Sequence, residues 1–436
     1  MFKLWLLRLL HTLHHIHLIA TFRKCLRTLA QKPVFFLGFR IFFLSTALMG
    51  FFAMLWWYLE YQHHLGLPVG KLLVAQYWHG HEMIYGMASA VVAGFLLTAV
   101  QNWTGVPMPH GKALCRIWLS WFLARSIFWF APTFALLGAA LDMLFSVQLA
   151  KTVIHACRQA EGQSKRQAGI IAKLVLLSTG NILFFLGLLF SPILMRQSLY
   201  FGVFVIIGLV LTIGRRVMPF FTKNAMPQPF EPRNSDSLDQ WALRSFLLFF
   251  FCWVFIPTIL EPFWSGLRQS ALFAIISALG SLAALITAAL NAYRLQGWWH
   301  RDILRFPLLW SMYLAIGFVL VGFVLYGLLP LGWGNESLAL HAMAIGGLGL
   351  MVYSMIGRVS LGHTGRSVHQ PPKALCIGLY LMGACFVARV LLPLMLPSHY
   401  LHWIALAQAL WLAAFGLQII AYWTIWNQPR IDGKAG

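Results

Sequence analysis

Residues 77–100 read YWHGHEMIYGMASAVVAGFLLTAV, and this stretch decides the fold class. After Glu82 it contains no charged side chain, and about 20 apolar residues suffice for a helix to cross a bilayer. The whole chain agrees, because 60% of its 436 residues are hydrophobic, only 10% are charged and the mean hydropathy is +0.75. Soluble domains carry about 45–50% apolar and about 25% charged residues. These values exclude a soluble globule, a disordered chain and a disulfide-rich scaffold, and they predict an all-α polytopic membrane protein.

Twelve segments of the chain are long and apolar enough to span a bilayer. They are 39–61, 77–100, 113–131, 133–156, 169–190, 197–214, 239–260, 268–294, 307–330, 336–359, 373–396 and 399–426. Their unbroken apolar runs favour helices over barrel strands. We therefore expect a twelve-helix domain at 37–428, followed by a cytoplasmic tail at 429–436. The basic, His-rich arm at 1–36 is expected to lie on the membrane surface.

The net charge of +21 comes from 32 Lys and Arg against 11 Asp and Glu. In a soluble protein such a surplus would suggest nucleic acid. Here almost all the basic residues fall in the N-terminus, in alternate loops and in the tail, whereas the other loops hold only Lys71, Arg196 and Arg268. This alternation is typical of the positive-inside rule. It predicts cytoplasmic termini, with the lipid bilayer and not nucleic acid as the partner.

An internal repeat relates the second and tenth segments. A shift of 260 residues pairs them without a gap and aligns His81 with His341, Met83 with Met343 and Gly86 with Gly346. The sixth segment joins the pattern weakly. Because these three segments are four apart, three four-helix units are a plausible architecture, and shared composition is the alternative explanation.

Ionisable residues inside a bilayer are costly, so each is a functional candidate. They are His79, His81, Glu82, Arg125, Asp142, His341 and Arg389. All are expected in the outer half of the membrane. Arg125 and Asp142 flank a tight turn and lie at similar depths, so they are candidates for an ion pair.

The string WHGHEM at 78–83 is the richest in potential ligands. His79, Glu82 and Met83 are spaced to share a helix face, which suits copper or a carboxylate that orients an imidazole. His81 would then face another helix, and His341 is its candidate partner. Two imidazoles at one depth are typical of haem ligation.

Other residues would complete such a haem site. Gly346 and Gly347 would let a flat macrocycle approach the helix. Arg125 and Arg389 are candidates to pair with haem propionates, and Glu82 is the candidate catalytic proton donor. The alternative is that the glycines only pack helices, the arginines form structural ion pairs and the histidines only hydrogen-bond between helices.

Several strings in this order resemble the NnrS family of bacterial membrane proteins. They are Gly-Phe-Arg at 38–40 with Phe-Phe-Leu at 42–44, the 78–83 string, 94–100 running to 102–105, 214–215 with 219–222, His341 with the glycines after it, and 358–366. The resemblance implies a twelve-helix inner-membrane protein that contains haem and copper and is linked to nitric oxide and nitrosative stress. Ile41 stands where the family pattern has Pro, and the His-rich arm is a second departure.

Three functions compete at this level. The first is a haem and copper protein that binds nitric oxide, turns it over with an external electron donor, or protects metal centres from it. The second is a transporter of a metal, haem or a small ligand. The third, a terminal oxidase, is disfavoured because the adjacent pairs His14-His15 and His63-His64 lie outside the spans. The haem type, the oligomeric state and the occurrence of turnover are not determined by the sequence.

Overall fold

The computed structural model describes Lys24, residues 27–66 and residues 73–434, and these form twelve long helices without a β-strand. The helices are α1 (Gly38–His63), α2 (Ala75–Thr104), α3 (Gly111–Phe130), α4 (Pro132–Gln159), α5 (Gln163–Phe190), α6 (Pro192–Ala225), α7 (Asp236–Leu260), α8 (Ala271–Trp298), α9 (Pro307–Leu331), α10 (Glu336–His363), α11 (Lys373–Met395) and α12 (Pro397–Asn427). Short 3₁₀ turns lie at Pro33–Phe35, Leu267–Gln269 and Arg301–Arg305. The histidine cluster of the predicted arm lies outside the described residues.

The predicted number of spans is confirmed, since all twelve helices are long and apolar enough to cross a membrane. The largest difference is α6, predicted at 197–214 and observed at Pro192–Ala225. Its start is defined by Ser191, whose hydroxyl accepts a hydrogen bond from the Leu194 backbone, the usual role of a helix N-cap. Its last turns carry Arg215 and Arg216, so the helix continues past the apolar stretch that the hydropathy detects.

The helices differ in how deeply they are buried in the bundle. About 89% of the α2 core and 83% of the α10 core are buried, against 28% for α4. Burial on nearly every face lets α2 and α10 carry polar groups that lipid would not accept. α6 is also largely buried. We call α2, α6 and α10, which are the second helices of the three predicted four-helix units, the central helices.

Four helices contain a π-helical segment, in which hydrogen bonds run from i to i+5 and the turn is wider. The segment in α2 (Glu82–Ala88) begins directly after His81. The segment in α10 (Ala344–Met351) begins three residues after His341. The other two segments lie in α7 (Phe251–Phe255) and α11 (Val387–Leu391). Their first residues are 136 positions apart, and α11 is the fourth helix after α7. The pairs occupy matching positions, as an internal repeat predicts.

The bundle has two ends with different chemistry. The starts of α2 and α10 line one cavity and their ends line another, so the two helices run in the same direction. We call the first end, with His79 and His341, the His end, and the other, with Arg166, Arg215 and Arg216, the Arg end. The charge pattern predicts that the Arg end faces the cytoplasm, and this sidedness stays a prediction.

Candidate functional site

A cavity of about 470 Å³ lies at the His end, and we call it the His cavity. It is lined from α2 by His79 and Met83, from α10 by His341 and from α11 by Arg389. Most of its other lining is apolar or aromatic, with Trp57 as one wall. The volume lies within the range of about 300–1,000 Å³ typical of small-molecule sites.

His341 is held in one orientation by its own helix. Its Nδ1 lies 2.7 Å from the Ser337 carbonyl oxygen, one turn earlier. A carbonyl only accepts, so Nδ1 carries the proton and Nε2 keeps its lone pair. Arg389 also lies 3.2 Å from Nδ1, but its Nη2 is equally close to the Ser337 hydroxyl and donates there instead. A backbone carbonyl that fixes the tautomer in this way is common for metal-binding histidines.

His79 faces the same cavity from α2. Its ring stacks on Trp57, with ring centroids 4.8 Å apart and planes 12° apart. Its Nδ1 is buried and has no hydrogen-bond partner in the described part of the chain. A buried polar nitrogen without a partner is costly, so it indicates a position where a ligand supplies the missing contact.

Arg389 brings an uncompensated charge to the cavity. It lies over the Tyr400 ring, 5.9 Å from the centroid, and donates through Nη2 to Ser337. Its Nη1 is buried without a partner, and no ion pair to it occurs among residues 27–66 and 73–434. A buried guanidinium without a counterion favours an anionic ligand group.

Directly behind α2, five side chains close a hydrogen-bonded ring, which we call the polar ring. Its members are His81, Glu82, Arg125, Asp142 and Asn181. Arg125 lies 2.7 Å from Glu82 and also contacts Asp142, which confirms the predicted ion pair. Asn181 bridges Asp142 to His81 Nε2 at 3.3 and 3.0 Å, and His81 Nδ1 returns to Glu82 at 2.9 Å.

The hydrogen bonds of the polar ring occupy both nitrogens of His81. Nε2 pairs with the Asn181 side-chain oxygen and Nδ1 pairs with Glu82, so neither nitrogen is left for a ligand. Arg125 lies between the carboxylates of Glu82 and Asp142. The ring is buried between α2, α3, α4 and α5.

The expected geometry of the WHGHEM string is therefore corrected in two respects. His81 does not face His341, because it lies in the polar ring between Phe128 and Phe184; His79 shares the cavity with His341 instead. Glu82 does not share a face with His79 and Met83, since adjacent residues lie about 100° apart around a helix and Glu82 is directed towards Arg125 on α3. Glu82 bonds to Trp129 at 2.5 Å and does not line the His cavity.

The glycines of α10 do not line the cavity either. A side-chain carbon on Gly346 would lie 2.7 Å from the Ala315 carbonyl oxygen on α9. One on Gly347 would lie 2.6 Å from Ile207 on α6. The two glycines therefore let α9 and α6 approach α10. Their positions agree with the alternative interpretation, in which the glycines only pack helices.

A family model named for the NnrS protein matches residues 33–430. The chain belongs to the NnrS family. No curated protein matches the sequence. Within this NnrS chain, the 78–83 string supplies both the His cavity and the polar ring, so one short motif contributes to two different sites.

The donor groups on the His cavity of this NnrS chain are of the kind that haem requires. Two imidazoles from different helices face it, and among the described residues His79 Nδ1 and Arg389 Nη1 have no hydrogen-bond partner, while the Nδ1 bond of His341 leaves its Nε2 lone pair for a ligand. Copper fits less well, because the described residues contain no group of three or more His, Cys, Asp or Glu that could hold a metal ion. The copper prediction therefore rests on His79 and Met83.

The sequence reasoning missed several polar residues. Asn181 completes the polar ring. A polar amide inside the apolar segment 169–190 could have indicated a hydrogen bond between helices. At the rim of the cavity, Glu261 binds both Arg196 and Arg268, and Arg268 lies 2.7 Å from Glu336. Burial lowers the Arg268 pKa, but the carboxylates of Glu336 and Glu261 outweigh it, so the net pKa is raised. Arg196 and Arg268, which the sequence places in loops, therefore form ion pairs that connect helix ends.

Proposed function

We propose that this protein binds haem in the His cavity and, through it, binds nitric oxide in the response to nitrosative stress. The observation that carries the proposal is the placement of His79 and His341 on one cavity, where His79 Nδ1 has no partner in the described part of the chain and His341 keeps its Nε2 lone pair. Family membership supports the same conclusion, since NnrS proteins are expected to contain haem. A bound haem would supply an iron centre that binds a diatomic gas.

The chain's own residues divide the work of such a site. Ser337 holds the proton of His341 on Nδ1 and thereby points the Nε2 lone pair away from the helix backbone. Trp57 orients the His79 ring by stacking. Arg389 binds an anionic group such as a propionate, while the apolar and aromatic walls exclude water and strengthen that pairing.

The test is the visible spectrum of detergent-purified protein, reduced and then exposed to nitric oxide, with iron and copper counted in the same sample. We expect a Soret band that shifts with the gas, at about one haem per chain. His341→Ala and His79→Ala should each lose most of the haem, because each removes an iron ligand. His399→Ala, an exposed histidine at the same end, should retain it.

Folding is checked by a monodisperse size-exclusion profile, and imidazole added to His341→Ala should restore part of the band. Full haem content in the His79→Ala/His341→Ala double variant would contradict the assignment of both ligands. A colourless wild type that stays metal-free after haem is supplied would contradict the proposed function and favour the transporter.

A further inference from the structure

A second, smaller cavity lies in the middle of the bundle and has a lining of a different kind. It measures about 80 Å³, is lined by α1, α2, α6 and α10 and is only partly enclosed. Its fourteen lining residues are Phe43, Val91, Val92, Phe95, Leu96, Ile206, Leu209, Val210, Ile213, Gly214, Val217, Met351, Val352 and Met355. None of them has a polar side chain. We call it the apolar chamber.

The lining decides what can occupy the chamber. A buried water needs two to four polar partners and about 10–15 Å³ of space, so the chamber has room for water but no side-chain partner for it. An ion or a polar molecule would lose its hydration without compensation. Cavities of this kind stay dry and bind small apolar species such as xenon. The chamber therefore suits a small neutral molecule that does not require hydrogen bonds.

The position of the chamber connects it with the rest of the bundle. On α6 and α10 it begins at Ile206 and Met351, each three residues beyond the last residues, Val203 and Leu348, that line the His cavity. Three residues of helix are about 4.5 Å, so less than one turn of packed side chains separates the two spaces on these helices.

Towards the other end the chamber adjoins a larger cavity. It shares Phe95, Ile213, Val217 and Met355 with the cavity of about 1100 Å³ at the Arg end, which is lined by Arg166, Arg215 and Arg216. Three spaces thus follow one another along the central helices α2, α6 and α10. The middle one is apolar and the two outer ones carry charged groups.

We propose that the apolar chamber is a binding site for a small neutral gas molecule. Its identification with nitric oxide rests on the proposed function, because the same helices line the His cavity. The site itself does not depend on haem. A gas that partitions from the lipid would reside in the apolar chamber, within one helical turn of the His cavity. The apolar lining of the chamber does not retain ions or water.

Xenon tests the proposal without any contribution from haem. Crystals of the full-length chain pressurised with xenon should show anomalous density in the chamber. Val210→Phe, which fills the space, should abolish that density. Val175→Phe, the same change on a lipid-exposed face of α5, should leave it unchanged. Val210→Thr keeps the volume but adds a hydroxyl, so it should lower the occupancy even if the larger substitution prevents folding.

Two results would overturn the proposal. One is the absence of xenon from the wild-type chamber. The other is an elongated lipid or detergent chain that xenon does not displace, which would make the chamber a groove for an acyl chain. Because neither result involves haem, either one leaves the proposed function of the His cavity standing. Conversely, xenon binding in a protein that takes up no haem would support the chamber and contradict the haem proposal.

Discussion

His79 and His81 are two residues apart, and the bundle gives them opposite roles. His81 is enclosed by aromatic rings, and both of its nitrogens are used within the polar ring. His79 lines the cavity with Nδ1 unpaired. An imidazole whose two nitrogens both have hydrogen-bond partners offers no free lone pair to a metal. At this scale the difference between a structural and a ligand-binding histidine is therefore a matter of hydrogen-bond partners.

The buried ion pair between Glu82 and Arg125 predicts a strong effect at Glu82. In Glu82→Gln, Arg125 keeps Asp142 but loses the Glu82 carboxylate, and His81 loses the carboxylate beside its Nδ1. Breaking one partner of a buried ion pair typically costs about 3–5 kcal/mol. We expect a clear fall in the thermal midpoint of the detergent-solubilised protein, measured by intrinsic fluorescence.

The matched control is Glu231→Gln, at an exposed carboxylate paired with Lys223. Exposed pairs contribute about 0–1 kcal/mol, so its midpoint should hardly move. An equally stable Glu82→Gln variant would mean that the ring does not hold the charges we assign to it.

At the scale of the element, the helical periodicity groups His79 with Glu82 and Met83, but only two of the three line the cavity. Glu82 and Met83 are adjacent and lie about 100° apart around the helix, so Met83 faces the cavity while Glu82 faces Arg125. A π-helical segment with wider turns then begins at Glu82. The same feature follows His341 in α10, so both central helices change their register close to the proposed site.

Close packing of α10 against α9 yields a prediction for Gly346. A methyl group in Gly346→Ala would lie 2.7 Å from the Ala315 carbonyl oxygen and 2.8 Å from Phe318 Cβ. Backbone cannot yield as a flexible side chain does, so we expect a loss of about 1–3 kcal/mol in stability from overpacking. The measurement is the thermal midpoint together with the yield of monodisperse protein.

Gly317 provides the control on the facing helix, since a methyl group there would meet no atom within 4 Å. Gly317→Ala should be neutral or stabilising by about 0.5–1 kcal/mol, because alanine restricts the unfolded chain more than glycine does. A similar loss at both positions would show that the α9–α10 contact is not what constrains Gly346.

The whole molecule has an orientation that the structure alone does not provide. The basic loops predict that the Arg end faces the cytoplasm. In intact cells, a membrane-impermeant thiol reagent should label Ser398→Cys, exposed at the His end, above the wild-type background. Glu161→Cys, exposed at the Arg end, should react only after the membrane is opened. The reverse labelling would place the His cavity on the cytoplasmic side.

The fold class, the twelve spans and seven ionisable residues within them were determined by the sequence alone, whereas the buried Arg40, Glu261 and Arg294 were not among those seven. Each depends on local composition, because a run of about 20 apolar residues or a charge within it has the same meaning wherever the helix packs. The ion pair of Arg125 with Asp142 could also be predicted, since only a tight turn separates their helices. The partner on a distant helix, Asn181, could not.

Only the tertiary structure decided which histidine meets which neighbour. His341 and His79 are brought together by the packing of α2 and α10, and Glu82 is held away from the cavity by Arg125 and Trp129 of α3. Arg40 shows the same limit: the sequence places it among the basic N-terminal residues, yet its guanidinium binds the Ile425, Trp426 and Gln428 carbonyls at the end of α12. These pairings depend on the relative positions of elements distant in the chain, which local chemistry does not encode.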